Sequence, residues 1–333
     1  MTGKSVNNST PVISVIVPMF NVADYVHECF DSIAEQDFQE AYEVIVINDC
    51  SPDNSAEICC NWIKAHTANF RYIENEHNMG VSLSRNRGLE VAVGKYFMFV
   101  DPDDLMPPQA LSALYQAAES SKADIVKGNN TIFTQNRETE SSCNVNKSKL
   151  VENNAVLTTL YEQDTVRGHP WGKLFRRDQL GSFRFPAGVR MAEDLFYCSE
   201  VFANARTLLL LDKSVYRYRN HDGGSTGRKF ESGAYIDWLG AVESSGKFAH
   251  SARQKRAHKG FLVRTLTQIS RECRKIPAPS AAEVIDVIEQ KCRQWNIRLL
   301  PLILRDGLGL RSINHYIKLQ LALKQIRHKL SQS

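Results

Sequence analysis

Residues 96–104 read YFMFVDPDD. Five apolar residues, Tyr96–Val100, form a run without a polar face, which fits a short strand buried on both sides inside a parallel sheet. The run stops at Asp101, Pro102, Asp103 and Asp104, which is loop chemistry. The same grammar recurs on either side. Val12–Val17 (VISVIV) is a β-branched run ending at Pro18, Glu43–Ile47 (EVIVI) ends in NDCSPDNS, and Phe70–Ile73 is a third short run. Between the first two, Tyr25, Val26, Cys29, Phe30 and Ile33 sit at helical spacing over 24–36, with Asp24 as the candidate N-cap. Residues 54–66 read as a second helix. HNMGVSLSRNRG leads into LEVAVG, a helix expected to end with Gly94 as its C-cap. Residues 108–121 are helical, and Asp124–Lys127 opens another strand. The order β-α-β-α-β-α-β predicts an α/β fold: a doubly wound, mostly parallel sheet with flanking helices.

Beyond this core the pattern changes. Residues 135–149 are polar and read as a mobile loop. Residues 151–221 mix short helices with strands at 206–211 and 215–219. From about 231 onward the pattern is helical, with Pro277 and Pro279 splitting it into two basic segments. Charge divides the same way. The formal net charge of +4 conceals 24 basic and 32 acidic residues in 1–249 against 17 basic and 5 acidic in 250–333. A uniformly basic nucleic-acid binder would not look like this; an acidic body with a basic tail would. The eight cysteines form no C-x-x-C pair and read as reduced, core-packed thiols. No secretory leader is visible, and no window approaches the roughly 20 apolar residues of a membrane span, so a cytoplasmic protein is expected.

In a doubly wound sheet, ligands bind beyond the carboxyl ends of the strands. The first strand delivers Pro18–Asn21 there, the second Asp49, and the fourth Asp101, Asp103 and Asp104. Any one of these carboxylates could simply cap a helix. Three within four residues repel one another unless a cation or donors neutralise them, and a divalent, oxygen-loving metal such as Mg²⁺ or Mn²⁺ is the simplest remedy. Neither G-x-G-x-x-G nor G-x-x-x-x-G-K-[ST] follows the first strand, which disfavours a dinucleotide dehydrogenase and a P-loop NTPase.

Together SVIVPMFN (14–21), EVIVINDCSPDNS (43–55), NMGVSLSRNRGLEVAVGKYFMFVDPDD (78–104), WGKLFRR (171–177), AEDLFY (192–197) and YRYRNHDGGST (216–226) resemble a family 2 glycosyltransferase of the GT-A fold. The resemblance covers about 12–226. It implies a polar tail at 1–10, a catalytic domain at 11–226 (nucleotide-binding half 11–128, acceptor half 150–226) and a helical basic region at 227–333. By the same resemblance, Asp49 accepts a hydrogen bond from the donor's base, usually uracil. Phe20 stacks on that base without the hydroxyl of the tyrosine found in many members, and Pro18 and Asn21 complete that strand end. Asn48 replaces the first Asp of a frequent Asp-Asp pair. Asp103 and Asp101 are the implied metal ligands, Asp103 the better of the two and Asp101 near the ribose, and Asp104 supports them or lies near the sugar. Arg85 and Asn86 match R-N-x-G; Arg85 is open to donor contact or a structural ion pair. His221 is implied near phosphate or metal. Trp171, Lys173 and Glu193 are assigned to the acceptor side.

The implied reaction is an inverting single displacement by a hexosyl- or N-acetylhexosaminyl-transferase, with Asp194 as base and a nucleoside diphosphate as leaving group. The acceptor is a glycan or lipid-linked hydroxyl in cell-surface polysaccharide synthesis. Two rivals are a sugar-phosphate nucleotidyltransferase, which should carry a Gly/Arg/Lys-rich loop after the first strand, and a non-catalytic nucleotide-sugar-binding subunit. In the tail, Tyr316, Leu319, Leu323, Ile326 and Leu330 form an amphipathic stripe interleaved with cations. It either packs on the catalytic domain or lies on an anionic membrane surface; nucleic acid is not an expected partner.

Overall fold

A computed structural model describes residues 10–66, 69–189, 191–221, 232–272 and 278–294. The chain divides into two compact units. The first draws on 1–156, 169–187 and 204–221, the second on 157–168, 188–203 and 222–333. The stretches 157–168 and 188–203 therefore group with the helical region rather than with the sheet.

The first unit is built on a nine-stranded sheet. In chain order its elements begin β1 (Ile13–Met19), α1 (Val26–Ala34), β2 (Tyr42–Asn48), α2 (Ser55–His66), β3 (Phe70–Glu74), α3 (Val81–Val91), β4 (Tyr96–Phe99) and α4 (Ala110–Ser121). They continue with β5 (Ile125–Thr134), β6 (Arg137–Glu140), β7 (Lys149–Glu152), β8 (Lys173–Arg176) and β9 (Thr207–Arg219). The strand order is β3-β2-β1-β4-β8-β5-β9-β7, with β6 paired to β5. The strands β3, β2, β1 and β4 are parallel. β8 lies antiparallel between β4 and β5, which restores β5, and with it β9, to the common direction. Six of the nine strands thus run one way, the mostly parallel α/β sheet expected.

Both faces of the sheet are covered, which is why the strands read as continuous apolar runs. On one face Val15, Val17, Val44, Val46, Met98 and Val100 pack with Phe30, Trp62, Leu111 and Leu114. On the other, Phe97, Phe99, Phe175 and Phe185 form an aromatic cluster with ring centroids 5.2–6.4 Å apart. Helix α3 packs on β1 and β2, and α4 on β5, β8 and β9.

Four local expectations change. Asp24 does not cap α1: the cap residue is Tyr25, without a side-chain hydrogen bond, and the Val22 carbonyl accepts from the Tyr25 and Val26 amides. Gly94 is not a left-handed C-cap, because α3 ends at Ala92 in an extended conformation. A Cβ at Gly94 would lie 2.6 Å from the Ser14 amide nitrogen and 2.7 Å from the Tyr96 oxygen, so glycine permits the close approach of backbones there. Residues 135–149 are a loop only in part, with neither helix nor strand at 141–148. β6 closes a hairpin on β5, and Asn129 and Asn130 fasten the following chain through paired bonds with Val145 and Asn144. Finally, the strands expected at 206–211 and 215–219 are one strand, β9, whose register against β5 shifts around Asn129 to absorb the polar Asp212–Ser214.

The second unit is helical. It contains most of α5 (Asn154–Glu162), α7 (Glu193–Asn204), α8 (Ser232–Ser245), α9 (Ala252–Glu272) and α10 (Ala278–Gln294); a single-turn α6 (Arg177–Leu180) belongs to the first unit. The Tyr161 hydroxyl donates to the Ser245 carbonyl at 2.6 Å, and Phe196 meets Phe248 edge-on at 5.9 Å. Along α9, Phe261, Leu262, Val263, Leu266 and Ile269 are buried, whereas Arg253, Lys255 and Arg256 are exposed. Pro279 falls in the first turn of α10, where its missing N–H costs nothing. The amphipathic stripe at 316–330 lies outside the described residues.

Candidate active site

The carboxyl ends of β1, β2 and β4 deliver the expected side chains into one unit. Pro18 lies within β1, paired with Ile47, and Phe20 follows the strand with 45% of its surface exposed, available for stacking. Asn21 adopts φ +54°, a left-handed conformation that Asn tolerates, and its amide donates to Ser51 Oγ at 3.3 Å. Asp49 is buried. Its Oδ1 accepts from Asn75 Nδ2 at 2.7 Å and from the Met79 amide at 2.8 Å, and its Oδ2 accepts from the Gly80 amide at 2.7 Å. Gly80 has φ +85°, a backbone suited to glycine, and opens α3. Asp49 therefore holds the start of that helix. With three of roughly four acceptor positions taken, it keeps room for one more donor.

Asn48 joins Tyr72, Glu74 and Ser51 rather than standing free as a second acid. Arg85 forms an ion pair with Asp101 at 3.0 Å and lies over the Phe185 ring at 5.2 Å. Asn86 grips the Phe185 backbone from both sides, donating to its carbonyl at 2.9 Å and accepting from its amide at 2.8 Å. A Cβ at Gly88 would come within 2.4 Å of Ile16 Cγ2, so R-N-x-G is also a packing motif between α3 and β1.

The acidic loop after β4 is fastened to the end of β9. Leu105 and Arg217 exchange two backbone bonds of 3.1 and 2.9 Å. The Tyr216 hydroxyl donates to Asp104 Oδ2 at 2.7 Å and accepts from the Asp101 amide at 3.0 Å. The Arg219 amide donates to Asp104 Oδ1 at 2.6 Å, and Arg219 Nε to the Asp103 carbonyl at 2.7 Å. Asp104 is fully buried; desolvation, then Asp103 and Asp101, push its pKa well above the usual carboxylate range. The same burial, with Asp104 and Asp101 nearby, raises Tyr216 and keeps its proton in place. Arg219 also meets Glu28 at 2.7 Å and the rings of Tyr25 and Phe133 at 5.2 and 4.7 Å.

Asp103 is turned differently. Its Oδ2 lies 3.0 Å from His221 Nε2, and the His221 ring sits 4.5 Å from that of Tyr25. Among the described residues no three His, Cys, Asp or Glu side chains gather as a metal-binding group. Asp103 and His221 therefore fit a cation that takes most of its ligands from a bound diphosphate and water, the habit of Mg²⁺ and Mn²⁺, and do not fit a closed protein cage.

Trp171 is nearly buried in an aromatic stack. His169 lies 3.5 Å from it at 5°, Tyr216 4.6 Å at 8° and Tyr218 5.5 Å at 16°. Lys173 is fully buried, with Nζ donating to the His169 carbonyl at 2.5 Å. Glu193 and Asp194 belong to the second unit, where they open α7 directly after Ala192, a non-glycine residue at φ +64°. Asp194 Oδ1 accepts from the Leu195 amide at 2.6 Å. Sequence reasoning missed Tyr216, Arg219 and Tyr25. The YRYR stretch was the signal for the first two, with Tyr216 and Tyr218 on one face of the strand and Arg217 and Arg219 on the other; nothing in the local sequence marks Tyr25.

The model described as glycosyl transferase family 2 matches residues 14–180. The glycosyltransferase GlyA of Streptococcus pneumoniae serotype 4 is 33% identical over 218 residues, 63% of this chain and 31% of its own, so the match spans about a third of that relative. Among solved structures, S. aureus TarS 1-349 in complex with UDP-GlcNAc aligns over 94% of this chain and 91% of that one, with TM-score 0.64 and 20% identity. The mannosyltransferase PcManGT from Pyrobaculum calidifontis, in complex with GDP-Man and Mn²⁺, aligns over 95% and 88%, with TM-score 0.57 and 15% identity. At these identities the two structures speak for the fold.

Proposed function

The chain belongs to glycosyl transferase family 2, and from that premise we propose that it moves a sugar, with inversion, from a UDP-sugar donor to a hydroxyl of a glycan or lipid-linked acceptor in cell-surface polysaccharide synthesis. The observation that carries this reading is the arrival of Asp49, Asp101 and Asp103 at the carboxyl ends of β2 and β4 in one unit, beside the exposed Phe20. The nucleotide-sugars bound by TarS and PcManGT support the donor class, and the Mn²⁺ of the latter supports a divalent cation.

In this reading Phe20 covers one face of the base and the open lone pair of Asp49 accepts its N–H. Asp101, tied to Arg85, lies toward the ribose. Asp103 and Asp101, with His221 beside Asp103, would hold the cation, which when bound offsets the charge gathering on the departing diphosphate. Asp194, in the first turn of α7, removes the proton of the attacking hydroxyl. Glu193, Trp171, Lys173 and Asp104 shape or support the acceptor side.

The test is release of nucleoside diphosphate from a panel of nucleotide-sugars with Mn²⁺. Asp103→Ala should lose both donor binding and turnover. Asp194→Ala should lose turnover by about 10²–10⁴-fold while keeping donor binding. Full transfer by Asp194→Asn would reject Asp194 as the base. An absence of diphosphate release from every donor, together with no thermal stabilisation by UDP, would reject the whole reading.

A membrane-facing acceptor is part of the same proposal. Among the described residues no helix is long and apolar enough to cross a membrane. Lys247, Arg253, Lys255 and Arg256 are exposed around the start of α9, against the preference of a helix N-terminus for anions, and no acidic residue occurs between Glu243 and Glu272. Such a cluster suits an anionic leaflet. Flotation with phosphatidylglycerol vesicles should fall sharply on Arg253→Glu/Arg256→Glu; equal flotation of the variant would remove α9 from the proposal.

A further inference from the structure

We propose that Tyr216 is a positioning residue of this site, whose hydroxyl clasps both ends of the acidic loop and thereby aims the Asp103 carboxylate. The inference deepens the function proposed above and rests on it. The loop from Asp101 to Asp104 closes with an Asp104 N–H to Asp101 carbonyl bond of 3.1 Å. Tyr216 grips the same two residues from the strand below, accepting from the Asp101 amide and donating to the Asp104 carboxylate. A hydroxyl can do both at once; a phenylalanine ring does neither. Arg219 fixes the other Asp104 oxygen and the Asp103 carbonyl. The main chain on either side of Asp103 is therefore fastened, and its carboxylate is left facing His221.

The tyrosine is itself held. Its ring is fully buried and stacks on Trp171, which stacks in turn on His169. Gly172 has φ +67°, and a Cβ there would sit 3.6 Å from Tyr216 Cβ, so the turn carrying Trp171 follows the ring closely. The WGK and YRYR motifs thus meet the acidic loop through one phenol. Trp171 acts at this site through Tyr216.

The probe is Mn²⁺ with UDP, titrated by the electron paramagnetic resonance of free Mn²⁺, which needs no turnover. Tyr216→Phe should raise the half-saturating Mn²⁺ concentration about tenfold. In the donor-hydrolysis assay it should leave kcat at saturating Mn²⁺ within about threefold of the wild type, a split that a general loss of folding would not produce. Asp104→Asn breaks the same clasp from the other side and should also raise half-saturation. Because the two act as one unit, the double variant should be little worse than the poorer single one. Wild-type half-saturation in Tyr216→Phe, or multiplying effects in the double variant, would overturn the clasp. Should Tyr216→Phe not fold, Asp104→Asn decides alone: wild-type half-saturation overturns the clasp. If the wild type holds no Mn²⁺ with UDP, the functional reading fails and the clasp falls with it.

Discussion

Asp49→Asn separates two roles that one carboxylate carries. In the wild type, Oδ1 receives the Asn75 amide and the Met79 N–H, and Oδ2 receives the Gly80 N–H. The asparagine oxygen will settle where two donors meet it, which turns the new NH₂ toward the Gly80 N–H. One hydrogen bond to a charged acceptor is lost at a buried position, about 1.5–3 kcal/mol, and two donors then face each other. We expect a net loss of about 2–3 kcal/mol. For a unit of this size that lowers Tm by roughly 4–12 °C, read by the thermal unfolding of the full chain. The base-recognition role predicts a second effect, because the remaining acceptor position on the carboxylate becomes a donor. UDP affinity, measured by calorimetry below the unfolding range, should drop about 10- to 100-fold for a loss of about 1.5–3 kcal/mol. A lowered Tm with unchanged UDP affinity would refute the base-recognition role and keep the helix-anchoring one. Both unchanged would refute the account of the site.

Gly88→Ala places a methyl 2.4 Å from Ile16 Cγ2 and should cost about 1–3 kcal/mol. Ile16→Ala in the same chain removes the obstruction, so the double variant should lose less than the sum in denaturant unfolding. Asn86→Ala removes both bonds to the Phe185 backbone; a loss of about 2–3 kcal/mol is expected in denaturant unfolding, and Asn86→Asp, which sets a buried carboxylate oxygen against the Phe185 carbonyl, should lose at least as much. Lys127 donates to the Cys143 carbonyl and is depressed to about 8, first by burial and then by Lys173. Its folded pKa lies below its unfolded one, so between about pH 8 and 10.5 the unfolded chain binds more protons and this lysine's contribution to stability rises with pH, by roughly 3 kcal/mol in all. The stability of Lys127→Met relative to wild type should therefore decline over that window; a constant difference would show that the lysine is not desolvated.

The parallel half of the sheet was legible because β1, β2 and β4 are buried on both faces, and two-sided burial demands the unbroken apolar runs that the sequence displays. Asp49, Asp101 and Asp103 stood out as carboxylates within three residues of the ends of those runs. Edges and clasps were not. β6 reads RETE, with three of four residues exposed, so its sequence carries no burial signal and its strand character comes from pairing with β5. β9 read as two strands because Asp212 and Lys213 interrupt it, and only the register shift against β5 shows how the interruption is absorbed. Gly94 sits where a helix should stop, which suggested a cap, whereas its reason is the Ser14 backbone 80 residues away. Tyr216 is joined to Asp104 across 112 residues, and no local spacing can announce such a partner.

The strand order has a consequence for the newly made chain. β1, β2, β3 and β4 find all their mutual partners by residue 99 and can zip as the polypeptide leaves the ribosome. β5, ten residues long, cannot follow at once. Its neighbours in the sheet are β8 and β9, so one edge waits for residues 173–176 and the other for 207–219. At elongation rates of about 5–20 residues per second, roughly four to seventeen seconds separate the synthesis of Thr134 from that of Arg219. Through that interval the hydrogen-bonding edges of Ile125–Thr134 are partly open, covered only by the short β6 hairpin. An open strand edge is a template for pairing with another chain. Ribosome-bound chains stalled between 135 and 206 should accordingly be the species that aggregates and recruits chaperones, and chains stalled once Arg219 has left the exit tunnel should not.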